Sequence, residues 1–175
     1  MKITENNIYY DHVKLNNGFK LDINIFLDEA YYEHVEPRPF AKEAINQLKD
    51  DYNIIFITAR LSNVGSKWVV ETTERWLKNN IIDKQMPIFF IDKERLKLVE
   101  RPENRFIIED GSASLTHLLK NGLGSKTIQL VTHYNKEALK RLGTQPYAAC
   151  SNWEEVYKAI KVKGGLYANK RGSAS

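Results

Sequence analysis

From residue 40 onward, short apolar runs alternate with stretches of helical periodicity, and this alternation constrains the fold more than any other feature of the sequence. The apolar runs lie at 52–58, 87–91, 105–108, 127–131 and 147–150. Segments with apolar residues at i, i+3 and i+4 predict helices at 40–48, 67–80, 94–99, 114–120, 136–142 and 153–160. Continuous apolar strands separated by helices are typical of parallel sheets with both faces covered. We therefore predict an α/β fold with a mostly parallel sheet.

Length and composition narrow the functional classes. A chain of 175 residues fits one domain with a sizeable core. Its net charge of +4 comes partly from a basic cluster at 161–171, so we expect no nucleic-acid partner. Cys150 is the one cysteine, which excludes an internal disulfide, and no apolar stretch approaches the roughly 18 residues of a membrane span. We expect a cytoplasmic protein without a membrane anchor.

One apolar run ends in a residue that can bind phosphate. Thr58 closes the run at 52–58 and is followed by Ala59 and Arg60. A hydroxyl at a strand end and the backbone N–H groups after it can hold a phosphate oxygen. The alternative is that Thr58 only caps the following turn.

A second run ends in two acids. Glu109 and Asp110 follow the run at 105–108, and Gly111 after them permits a tight turn. Adjacent carboxylates at a strand end form a plausible site for a hard cation, because Mg²⁺ takes oxygen ligands. The alternative is that Asp110 serves as N-cap of a helix that starts near Ser112.

Further polar residues follow two other runs. Lys93 lies just beyond 87–91, where an ammonium group could neutralise a phosphate, although Lys97 competes for this role and an exposed lysine is often only solvated. His133, Tyr134 and Asn135 form a polar cluster after the run at 127–131.

Taken in order, these pieces resemble the haloacid dehalogenase-like (HAD) superfamily, and within it the 5′(3′)-deoxyribonucleotidase-like nucleotidases, over roughly residues 36–162. The segment 57–60 is similar to the second motif of that family, 92–93 to its third and 108–112 to its fourth. The lead-in helix, the helix after the second motif and the closing pattern have counterparts at 37–45, 73–77, 134–135 and 152–156.

This resemblance implies a three-layer, Rossmann-type arrangement with helices on both faces of the sheet. It implies that Thr58 and Lys93 act in catalysis and that both, with Ala59 and Arg60, bind the phosphate. By the same resemblance the fourth-motif acids, Glu109 and Asp110, hold Mg²⁺. The implied ligand is a nucleoside monophosphate or another phosphomonoester.

The first motif of the family has no counterpart. In relatives, an Asp-x-Asp pair at the end of the central first strand supplies the nucleophile and the general acid. Here Asp11 is followed by His12, Asp22 has an asparagine two residues later, and Asp28 falls in a stretch of helical spacing. We expect that the first strand is absent or replaced and that the active site is degenerate.

This expectation divides the chain into three segments. Residues 1–36 are expected to be a helical remnant of the family's cap, 37–163 the HAD-like core and 164–175 a flexible tail. Loss of a central strand exposes unpaired backbone groups on its neighbours. An N-terminal segment, a second copy of the chain or another protein is expected to fill that position.

The residues support two functional hypotheses. In the first, the protein binds a phosphate-bearing ligand with Mg²⁺ and does not hydrolyse it. In the second, it is an active Mg²⁺-dependent 5′-nucleotidase or phosphatase with Asp22 or Asp11 as an unorthodox nucleophile, because a pure scaffold would not need the phosphate and metal residues. A third hypothesis, an α/β regulatory domain with receiver-like topology, is disfavoured by the motif spacing and by the ending at Trp153.

Overall fold

A computed structural model describes residues 35–58, 67–81, 86–90, 95–132, 135 and 145–172. The predictions at Asp11, Asp22, Asp28, Ala59, Arg60, Lys93, His133, Tyr134 and the helix at 136–142 lie outside these residues. In chain order the elements are α1 (Ala41–Leu48), β1 (Phe56–Thr58), α2 (Lys67–Asn80), β2 (Ile88–Phe90), α3 (Arg95–Val99), β3 (Ile107–Glu109), α4 (Ser112–Lys120), a 3-10 turn (Gly124–Lys126), β4 (Thr127–Leu130), β5 (Ala148–Cys150) and α5 (Trp153–Gly172).

The chain separates into two compact units, and the first contains β1, α2 and β2. β1 and β2 pair in parallel, with Phe56 opposite Ile88 and Thr58 opposite Phe90. The indole N–H of Trp76 on α2 donates to the carbonyl of Val35 at 2.7 Å, which ties the helix to the segment at 35–37. The apolar run ending in Thr58 is therefore a strand of a parallel pair, as the sequence predicts.

The second unit is built around β4. β3, β4 and β5 pair in parallel in that order, and α4 and α5 both pack on β4. All four residues of β4 are buried. Successive side chains of a strand point to opposite faces, so both faces of β4 are covered, including the face that carries the polar side chains of Thr127 and Gln129. Leu115, Leu118, Ile128 and Val156 form the most deeply buried part of this core.

The prediction of an α/β fold with parallel strands is confirmed. The described strands form two small sheets, β1–β2 and β3–β4–β5, where the sequence analysis predicted one sheet. β1 and β3 each pair with a single strand among the described residues. The three-layer HAD-like arrangement, the division into three segments and a segment in the first-strand position stay predictions.

α5 extends well beyond its predicted end at Ile160. Lys163 is buried, its ammonium donates to the carbonyl of Ser125 and lies 3.9 Å from the ring centroid of Tyr147. Burial lowers the pKa of Lys163. In the sequence, Gly164 and Gly165 predict the end of the helix. The contacts of Lys163 hold the helix in place at this point. Within the described residues, none of the helices combines the length and the apolar character that crossing a membrane requires.

Candidate functional site

Thr58 is the last residue of β1 and is half-buried. It is placed at the carboxyl end of a parallel strand, the edge at which open α/β sheets bind ligands. It belongs to the first unit, whereas the acidic pair belongs to the second. Whether they form one site stays a prediction.

Glu109 is the last residue of β3, and its carboxylate folds back over the turn that follows. One oxygen, Oε1, accepts hydrogen bonds from the backbone N–H groups of Asp110 at 3.1 Å and Gly111 at 2.7 Å. These groups lie just before α4, where helix N–H groups lack intrahelical partners and negative charge is favourable. The turn thus fixes the orientation of the Glu109 carboxylate.

Gly111 leaves room for the Glu109 carboxylate in this position. A Cβ atom at this position would lie 2.9 Å from Oε1 of Glu109, closer than real Cβ contacts allow. Gly111 also occupies the N-cap position of α4, with φ −79° and ψ 124°. The alternative interpretation, in which Asp110 is the N-cap residue, is therefore wrong by one position.

Asn135 connects the turn after β3 with the end of β4. Its side-chain N–H groups donate to the carbonyls of Asp110 at 2.9 Å and Leu130 at 2.8 Å. Its Oδ1 accepts from the backbone N–H of Thr132 at 2.8 Å and from Nε2 of Gln129 at 3.0 Å. Asn135 is fully buried. The sequence shows Asn135 as part of a polar cluster after a strand, but its contact with Asp110 cannot be read from the sequence because Asp110 belongs to a different segment of the chain.

Two buried polar atoms border this network. Within the described part of the chain, Oε1 of Gln129 and Oγ1 of Thr132 have no hydrogen-bond partner. Leaving a buried polar atom unpaired costs about 1–3 kcal/mol. The end of β4 therefore includes two buried polar atoms that do not contribute hydrogen bonds to the described core.

The closing pattern of the chain has a structural explanation. Oδ1 of Asn152 accepts from the N–H of Glu155 at 2.9 Å, and Oε2 of Glu155 accepts from the N–H of Ser151 at 2.7 Å. This arrangement is a variant of the capping box at the start of α5, in which Glu155 accepts from the residue before the N-cap instead of from the N-cap itself.

Burial and, to a lesser extent, Glu155 raise the pKa of the Cys150 thiol, which is unfavourable for a nucleophile.

The donor set of the acidic pair suits Mg²⁺. Across the described ranges, no group of three or more histidine, cysteine, aspartate or glutamate side chains is arranged to hold a metal ion. Mg²⁺ at phosphate sites is commonly bound by only one or two carboxylates, with waters and phosphate oxygens completing the shell. Glu109 and Asp110 provide that number of carboxylates at the end of one strand.

Comparison with known proteins gives one informative similarity. A Bacillus cereus protein with the name "Putative nucleotidase" is 30% identical over 122 residues, which cover 64% of this chain and 60% of the relative. This similarity supports a nucleotidase-like relationship. It spans about 60% of the length of this relative, so the activity of the whole relative is not transferred. No protein-family model matches the chain, and no solved structure does.

Proposed function

We propose that the protein is a HAD-like nucleotidase relative that binds a nucleoside monophosphate, or another phosphomonoester, together with Mg²⁺. The observation that carries this proposal is the acidic pair at the carboxyl end of β3, Glu109 and Asp110, in a nucleotidase-like chain. A hard cation and a phosphate are the ligands that carboxylates in such a position serve.

The proposed roles follow the chemistry of each residue. The Thr58 hydroxyl and the backbone after it, at Ala59 and Arg60, bind phosphate oxygens, and the Lys93 ammonium neutralises phosphate charge. Thr58 and Lys93 are also the proposed catalytic residues if turnover occurs. Their support is the position of Thr58 at the end of β1 and the order of the motifs.

Glu109 and Asp110 are the residues proposed to hold Mg²⁺, which when bound screens the negative charge of the phosphate. The backbone N–H groups that bind Oε1 of Glu109 keep this carboxylate from rotating freely. A carboxylate with restricted rotation loses less entropy when it binds a cation.

Binding without hydrolysis is the first candidate, because the 175 residues contain no Asp-x-Asp sequence. The second candidate is a working phosphatase that uses Asp22 or Asp11 as nucleophile. Its motivation is the full set of proposed phosphate and metal residues, including both acids at the end of β3, but the first candidate uses these acids too, so turnover separates the two.

The test combines binding and turnover. Calorimetric titration with nucleoside and deoxynucleoside monophosphates, with and without Mg²⁺, is run beside an assay of phosphate release. The variants are Asp110→Asn and, as a control with the same change of charge, Asp51→Asn, whose carboxylate pairs with Lys161 on the surface. We expect Mg²⁺-dependent binding that Asp110→Asn weakens and Asp51→Asn leaves intact.

The turnover result decides between the candidates. Phosphate release that requires Mg²⁺ and is lost in Asp110→Asn would establish the second candidate, and Asp11→Asn and Asp22→Asn would then identify the nucleophile. If the folded protein neither binds a nucleotide nor releases phosphate, a nucleotide function is rejected altogether.

A further inference from the structure

We propose that Asn135 is a positioning residue for the acidic pair: it fixes the peptide group after Asp110 and so keeps the carboxylates of Glu109 and Asp110 oriented for a cation. The identity of this cation as Mg²⁺ rests on the proposed function. That Asn135 fixes the turn after Asp110 follows from hydrogen bonds alone.

The peptide group between Asp110 and Gly111 is held at both of its polar ends. Its carbonyl accepts from Nδ2 of Asn135 at 2.9 Å, and its N–H donates to Oε1 of Glu109 at 2.7 Å. A peptide group is planar, so restraining both ends prevents it from turning about the bonds that flank it. The backbone that carries the Asp110 side chain is thereby fixed.

Asn135 is itself immobilised. A primary amide has two N–H donors and an oxygen that accepts two hydrogen bonds. Both donors and both acceptor positions are used: by the carbonyls of Asp110 and Leu130, and by the N–H groups of Thr132 and Gln129. Because Asn135 is fully buried, water cannot replace these partners. Its amide has one orientation, which it imposes on the turn.

No other side chain meets this set of demands. Aspartate has the same shape but no N–H group, and it would bring a carboxylate against the carbonyls of Asp110 and Leu130. Serine is too short to reach both strands' carbonyls at once. The chemistry of this position therefore requires an amide on a short stem.

Gln129 offers a matched control. It lies in the same network, is as deeply buried as Asn135 and donates to the side-chain and backbone oxygens of Asn135. Gln129→Leu removes a buried hydrogen bond from the network and leaves the bond from Asn135 to the Asp110 carbonyl in place. A merely structural role for Asn135 predicts the same behaviour for both positions.

The experiment measures amide hydrogen exchange at Gly111 by NMR, thermal stability, and Mg²⁺ affinity by calorimetry. The proteins are the wild type, Asn135→Asp, Asn135→Ser and Gln129→Leu. Asn135→Ser is the milder change and is used if Asn135→Asp does not fold. We expect exchange at Gly111 to accelerate about five- to tenfold in the Asn135 variants, the factor for one lost buried hydrogen bond. Mg²⁺ affinity should fall by a similar factor.

Gln129→Leu decides the interpretation. Whatever its effect on the melting temperature, it should leave Gly111 exchange and Mg²⁺ affinity within about twofold of the wild type. Equal acceleration at Gly111 in the Gln129 and Asn135 variants would overturn the proposal, as would a Gly111 amide that is unprotected in the wild type. A wild type that binds no Mg²⁺ counts against the proposed function, whereas the exchange measurement tests the positioning of the turn without it.

Discussion

At the scale of single residues, glycine is needed at two turns for two different reasons. At Gly122 the backbone has φ 75°, and no atom lies within 4 Å of an added Cβ. The N–H of Leu123 donates to the carbonyl of Leu118, and that of Gly122 to Leu119, which is the Schellman pattern that ends a helix. At Gly111 φ is ordinary, and the restriction is the contact with Glu109.

The two glycines therefore predict different outcomes of the same substitution. Gly122→Ala should lower the free energy of unfolding by about 1 kcal/mol through backbone strain, without affecting Mg²⁺ affinity. Gly111→Ala should affect stability less, because only the end of the flexible Glu109 side chain has to move, but it should weaken Mg²⁺ binding by displacing that carboxylate. Urea unfolding and calorimetric titration of both variants test this. A Gly111 variant with wild-type Mg²⁺ affinity would exclude a metal role for the orientation of Glu109.

At the scale of elements, the start of α5 gives a prediction that separates folding from function. Asn152→Ala removes the N-cap side chain of the capping box and should lower the free energy of unfolding by about 1 kcal/mol. Lys158→Ala on the same helix breaks an exposed pair with Glu154 at 2.7 Å and should have a smaller effect, because exposed ion pairs contribute little to stability. Neither should alter nucleotide binding. A binding defect in Asn152→Ala at temperatures where it is folded would contradict a purely structural role for this motif.

The elements also show what the sequence can predict. The existence of β4 is predictable because a short run with apolar residues follows a glycine turn, but its alternation with Thr127 and Gln129 does not reveal that both faces are buried. α2 is predictable because its apolar face repeats over several turns. The far half of α5 is not predicted, since Lys163 is buried by aromatic and backbone groups from other segments. For the same reason the role of Asn135 cannot be predicted: its contact with Asp110 is set by the pairing of β3 with β4. Division into two sheets is likewise a property of pairing and not of any single strand.

At the scale of the whole molecule, ligand binding is coupled to stability. A ligand that binds only the folded state raises the free energy of unfolding by about 2.7 kcal/mol at a concentration of 100 times its Kd. For a chain of this size that corresponds to an increase in melting temperature of roughly 5–10 °C. A nucleoside monophosphate with Mg²⁺ should produce such a shift whether or not the protein hydrolyses it. Because hydrolysis would consume the ligand, its remaining concentration is measured during the experiment. The corresponding nucleoside, which lacks the phosphate, should not.

Two variants divide the shift between its proposed sources. Asp110→Asn should remove the part of the shift that depends on Mg²⁺, because one of the two carboxylates at the end of β3 is lost. Thr58→Val keeps the size of the side chain but removes the hydroxyl, and it should reduce the shift produced by the nucleotide when Mg²⁺ is absent. Scanning calorimetry over a series of ligand concentrations measures both effects. An equal shift with nucleoside and nucleotide would show that the phosphate is not recognised, and a shift unchanged in both variants would place the ligand away from the ends of β1 and β3.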